Sequence, residues 1–155
     1  MLFLVKILVS VALGFLIGLE REYSHRYIGI RTVSLVTLAC TLFCLVQLEG
    51  ADPSRIVGQI VTGMGFLGAG VIFKEGASIK GLTTAATLWC AAAIGSLVGL
   101  GFWKEAVTGT ACVIVINLLF KLIRVKGFDG KFDHDREKKG KKLQDDIDKD
   151  HDVKL

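Results

Sequence analysis

The chain has 155 residues, 52% of them apolar, with 19 Lys and Arg against 15 Asp and Glu for a formal net charge of +4. A chain of this length that commits most of its residues to apolar runs leaves no room within it for a soluble catalytic domain of ordinary size. Charge is partitioned along it, with nine Lys/Arg against six Asp/Glu up to Lys121 and ten against nine from Arg124 onward.

Five apolar runs, crowded with glycine and alanine, cover Leu2 to Leu19, Thr32 to Leu48, Ile56 to Phe73, Leu82 to Leu100 and Ala106 to Ile123. A helix of roughly 20 residues crosses a ~30 Å hydrocarbon core. The runs therefore predict an all-α integral membrane protein, a compact bundle of five transmembrane helices over residues 1–123. Residues 124–155 read as a short charged cytoplasmic tail, expected to be disordered because it has too few apolar residues to bury a core.

In the first run Lys6 precedes an apolar stretch, as in a signal peptide, but Glu20-Arg21-Glu22 follows without a small-x-small cleavage pattern. A retained helix is expected. Ser10, Gly14 and Gly18 recur every four residues along it. The loop after it sets Glu20 and Arg31 hard against two spans, where they could pair as a latch on the cytoplasmic side; the simpler reading is that the arginines only set topology.

Thr37, Cys40, Cys44 and Gln47 share a face of the second run. The third opens on Asp52-Pro53-Ser54-Arg55, in which Asp52 can cap orphan amides while Pro53 takes the helical position that needs no donor. Asp52 could equally pair with Arg55 at the outer interface. Gly58, Thr62, Gly65 and Ala69 lie along one face, and Gln59 lies one turn in.

Gly63, Gly65, Gly68 and Gly70 spell a G-x-G-x-x-G, but a dinucleotide fingerprint needs a strand before it, and this one lies inside an apolar run. The four glycines serve helix packing, or weaken the helix into a break of the kind that lines membrane binding sites. The fourth run carries Thr84, Thr87, Ala91, Gly95 and Gly99 on one face, and the fifth carries Thr110, Asn117 and Lys121. Small residues let membrane helices approach closely, so the stripes predict mutual packing of the first, third and fourth helices. The amides of Gln47, Gln59 and Asn117 are expected to bond between helices or subunits.

Lys and Arg concentrate in the first loop, the third loop and the tail, against Lys6, Arg55 and Lys104 on the other side. The positive-inside rule then puts the N-terminus outside. All four cysteines fall in apolar runs, away from the histidines, so neither a disulfide framework nor a metal site is expected. No cofactor and no nucleic-acid partner is expected. The acidic end of the tail lacks the spacing of a calcium loop, and its Lys-rich stretch suits anionic lipid. Every carboxylate of the bundle falls in a loop or at a span end, which leaves no intramembrane acid for a cation.

Three blocks together resemble the MgtC/SapB family of bacterial membrane proteins. They are Gly18-x-Glu20-Arg21-Glu22 with Gly29-Ile30-Arg31-Thr32; Asp52-Pro53-x-Arg55-Ile56 with Gln59-Ile60-Val61 and Gly63 through Ile72; and Gly81 through Cys90. Met64, Ile28 and Ile30 depart from the usual residues but keep their packing character. Virulence-factor members add a soluble C-terminal domain of ACT-like fold, where only the charged tail is expected here.

The resemblance implies a multi-pass protein of the bacterial inner membrane, tied to growth in low magnesium and to acid or intracellular stress. Its partner would be a membrane complex such as the proton-translocating ATP synthase, with a homo-oligomer also compatible. By position, Glu20, Arg21, Arg31, Thr32, Asp52, Arg55 and Cys90 fall in the family motifs, Cys90 on a cysteine implicated in family function. A non-catalytic regulator is the first expectation, an oligomeric ion or small-solute permease linked to Mg²⁺ the second, and an enzyme the weakest.

Overall fold

The computed structural model describes residues 2–46, 52–75 and 78–125. Five helices run α1 Leu2–Tyr23, α2 Ile30–Leu45, α3 Pro53–Gly70, α4 Leu82–Leu100 and α5 Trp103–Val125. Gln47 and the tail beyond residue 125 lie outside the described residues. Three helices, α1, α4 and α5, are long and apolar enough to cross a membrane, and α2 is a shorter apolar helix of 16 residues.

The loop after α3 holds a short antiparallel hairpin, β1 Phe73–Glu75 on β2 Ser78–Lys80, with Phe73 opposite Lys80. The apolar-run reading carries Phe73 as the end of a helix. The chain instead leaves α3 at Gly70, and Gly81 turns it into α4 in the left-handed region at φ 89°. Only glycine fits there, because a Cβ would run into the Val71 carbonyl. Tyr27, between α1 and α2, stacks edge-on against Phe73 with ring centroids 5.1 Å apart, so the first loop and the hairpin share one end of the bundle.

The most buried helix is α4, which touches all four others, and the closest approaches are those that α1 and α4 make to α2. A Cβ on Gly14 of α1 would strike the Thr37 hydroxyl and come within 2.9 Å of the Ser34 backbone, and one on Gly18 would come within 2.5 Å of Ile30 Cα. From the other side, Gly95 of α4 meets the Thr37 backbone, and a Cβ on Gly99 would lie 2.6 Å from that of Cys44. Thr41 donates to the Gly95 carbonyl at 2.7 Å. Close approach multiplies weak dispersion contacts, and the hydroxyls lie where a backbone acceptor is within reach.

This corrects the expected mutual packing of the first, third and fourth helices. The tight group is α1, α2 and α4, while α3 lies beside α4 with Gly68 in ordinary contact with Ala85. Gly58, Gly63, Gly65 and Gly70 have open space around them: none has a neighbour within 4 Å of an added Cβ. The reason is rotational, since Ile60 and Met64 are the side chains of α3 that turn inward and are buried. Nor do Gly63, Gly65, Gly68 and Gly70 break the helix, since α3 is continuous over 18 residues.

Candidate functional site

The last turn of α1 carries charge into the interior. Gly18 brings α1 against the start of α2, and the two residues that follow the next leucine turn inward, leaving Glu20 9% and Arg21 2% exposed. Glu20 stands at the end of the first span, as expected of the bundle's carboxylates, but there it is still inside α1 and buried.

Glu20 is bound on both oxygens. Asn117 of α5 donates its amide to Oε2 at 3.0 Å, and Ser24 donates its hydroxyl to Oε1 at 2.9 Å. Lys121, one turn beyond Asn117, donates to the same Ser24 hydroxyl at 3.3 Å and sits 4.8 Å above the Tyr23 ring. Arg21 Nη1 donates to Thr87 Oγ1 of α4 at 3.2 Å and lies 3.9 Å from Glu20. Thr87 in turn donates to the Thr83 carbonyl at 2.8 Å. The cluster ties the ends of α1, α4 and α5 together.

It is incompletely satisfied. Arg21 Nε and Nη2 are buried with no hydrogen-bond partner among the described residues. A buried guanidinium that makes one weak ion pair and one hydrogen bond carries a desolvation cost its neighbours only partly offset. Its unpartnered N–H groups are donors of the kind that bind a carboxylate or another oxygen.

The expected Glu20–Arg31 latch does not form. Glu20 turns toward α5, whereas Arg31 and Thr32 are exposed at the start of α2. Glu22 takes the position at the loop instead and accepts from the Ile30 amide at 3.3 Å. The Asp52–Arg55 pair does not form either. Asp52 caps α3, accepting from the Ser54 amide at 2.9 Å and the Ser54 hydroxyl at 2.6 Å, and these bonds hold its carboxyl below the usual value.

Asp52, Arg55 and Gln59 lie at the opposite end of the bundle from Glu20, along a groove between α2 and α3. Cys90 is exposed and lines a second groove of about 430 Å³ between α3 and α4. Among the described residues, no three His, Cys, Asp or Glu side chains gather closely enough to hold a metal ion. The family motifs thus divide into a buried charged cluster, a capped helix start and a cysteine-lined groove. The sequence flags Asn117 and Lys121 through their shared face, but nothing in it marks Ser24 or pairs Thr87 with Arg21.

A profile of the MgtC family matches residues 7–125, from the second turn of α1 to the end of α5. The chain belongs to the MgtC family. The protein named MgtC from Salmonella typhimurium is 45% identical over 121 residues, covering 77% of this chain and 52% of that protein. MgtC of Brucella abortus is 48% identical over 120 residues, covering 75% of this chain and 50% of its own. An uncharacterized protein of Synechocystis is 46% identical over 121 residues, 76% of this chain and 52% of that one. The chain spans about half the length of the curated relatives it matches. No solved structure matches it.

Proposed function

We propose that this MgtC-family bundle is a non-catalytic regulator of the bacterial inner membrane that acts by helix-to-helix contact with another membrane protein. In this reading all five helices cross the bilayer. The end that carries Arg21, Arg26, Arg31, Lys74, Lys80 and Lys121 faces the cytoplasm, since it holds more Lys and Arg than the end with Lys6, Arg55 and Lys104.

The observation that carries the proposal is the outward face of α3. Gly58, Thr62, Gly65 and Ala69 are all exposed along it, and Gly58 and Gly65 have no neighbour within 4 Å of an added Cβ. Bare backbone on a lipid-facing surface forgoes dispersion contact that a second helix would supply. The stripes of α1 and α4 are already occupied by α2, whereas this one is open. By family resemblance the partner is a complex such as the proton-translocating ATP synthase, and the physiological setting is growth in low magnesium or under acid or intracellular stress.

Gly65→Leu tests it, because the leucine meets no neighbour in the chain. Purification of the tagged chain from native membranes is expected to bring down a membrane ATPase, with recovery lost in Gly65→Leu while helix content and melting are kept. Equal recovery with both chains sinks the docking face. Glu20 is the acid on which the permease alternative would lean, but both its oxygens are engaged by Ser24 and Asn117. Mg²⁺ uptake by reconstituted vesicles would favour that alternative instead.

A further inference from the structure

Consecutive helices α2 and α3 enclose a groove of about 1170 Å³, walled by Val36, Ala39 and Phe43 from α2 and by Ile60, Met64 and Leu67 from α3. Its charged and amide side chains, Asp52, Arg55 and Gln59, all come from α3 and all lie toward one end.

These three are graded in depth. Asp52 caps the helix, Arg55 stands in its first turn, and Gln59 is four residues, or ~6 Å, further along. Beyond Gln59 the α3 wall is Ile60, Gly63, Met64 and Leu67. Among the described residues, Arg55 makes no ion pair and Gln59 no side-chain hydrogen bond, while the Asp52 carboxylate is taken by Ser54. An amide one turn into hydrocarbon needs a polar partner, so an occupant that is apolar throughout does not suit this groove.

We propose that the groove between α2 and α3 binds a membrane glycerophospholipid, with the phosphate on Arg55, an ester carbonyl accepting from the Gln59 amide, and an acyl chain along Ala39, Phe43, Met64 and Leu67. Anion, ester and hydrocarbon follow one another in such a lipid in the order that cation, amide and apolar wall follow one another here. Arginine suits a phosphate because its planar fork makes paired, charge-assisted bonds. A helix suits the groove less well, since close docking of membrane helices uses small residues along the contact. The open glycines Gly58 and Gly65 that suit a helix are not among the groove's lining residues. The assignment rests on α3 crossing the bilayer but not on any protein partner.

Native mass spectrometry of the full chain in mild detergent is the test. Wild type and Gly65→Leu are expected to keep one phospholipid per chain. Arg55→Ala should lower its occupancy about tenfold, the weight of one charge-assisted hydrogen bond. Gly63→Phe, which fills the groove from a position with open space around it, should remove the lipid with Arg55 intact. Added phosphatidylethanolamine should restore the adduct on lipid-stripped wild type, and soluble glycerol phosphate should not displace it. Unchanged occupancy in both groove variants overturns the site, as does displacement by glycerol phosphate, or a doubled polypeptide mass abolished by Gly63→Phe. Loss of the lipid adduct from wild type, with recovery of the membrane ATPase retained, overturns this assignment and leaves the docking reading standing.

Discussion

Arg21 and Glu20 are adjacent in sequence, yet each is committed to a different helix. Successive residues on a helix point about 100° apart, so Glu20 reaches α5 while Arg21 reaches α4, and their own pair is left at 3.9 Å. The carboxylate therefore depends on Asn117 and Ser24 more than on its neighbouring cation. A hydrogen bond to a buried charge is worth about 1.5–3 kcal/mol, so Asn117→Leu should destabilise the bundle by about that much. A double-mutant cycle with Glu20→Gln checks it: a large share of the loss should disappear once the carboxylate is neutral. At this scale the sequence singles out Glu20, Arg21 and Asn117 as residues of interest, but it suggests Arg31 as the partner of Glu20. Proximity along the chain favours Arg31, and only the rotation of α1 directs the carboxylate to α5.

Among the elements, α3 begins as the sequence says and packs otherwise than the sequence says. Asp52 as cap and Pro53 in the first helical turn are local matters, legible because capping involves only neighbours in the chain. The cap has a pH signature. Ser54 hydrogen bonds hold the Asp52 carboxyl below its ordinary value of 3.8, so the folded state favours the ionised form. Its contribution is present in full above that ordinary value and is lost as pH falls through the lower folded value. The protection of the first-turn amides of α3 against hydrogen exchange, taken relative to the intrinsic rate at each pH, should therefore fall on acidification below pH ~3.8. Asp52→Ala should show low protection at every pH, and a protection that does not change with pH in the parent chain would refute the role of the carboxylate. The hairpin after α3 has an alkaline counterpart: Glu75 raises the Lys80 ammonium above its usual range, so the contribution of that ammonium is present at neutral pH and is lost in strong alkali.

Across the whole molecule, α4 is the helix that touches all the others, and α2, the shortest of the five, sets the spacing of α1 and α4. Thr37 of α2 is touched by Gly14 of α1 and by Gly95 of α4, so one residue fixes both spacings. Glycines that look alike in sequence should then respond oppositely to the same change. Gly95→Ala forces a methyl into the Thr37 backbone and should cost about 1–3 kcal/mol, as overpacking does. Gly65→Ala meets nothing and should be neutral or stabilising by up to ~1 kcal/mol, the helix propensity of alanine over glycine. Thermal melts in detergent separate the two, and equal losses would contradict the close packing of α4 on α2.

The sequence by itself determined the helices, the capped start of α3 and the family, because apolar run length, neighbour-to-neighbour capping and motif order are properties of the chain alone. It marked the small-residue stripes without saying which are filled. Tertiary structure decided that α2 fills those of α1 and α4 and leaves that of α3 open, that Glu20 and Arg21 turn inward, and that a groove separates α2 from α3. Those outcomes depend on how each helix is rotated about its own axis, and the rotation is set by competition among several neighbours at once, a quantity no single segment carries.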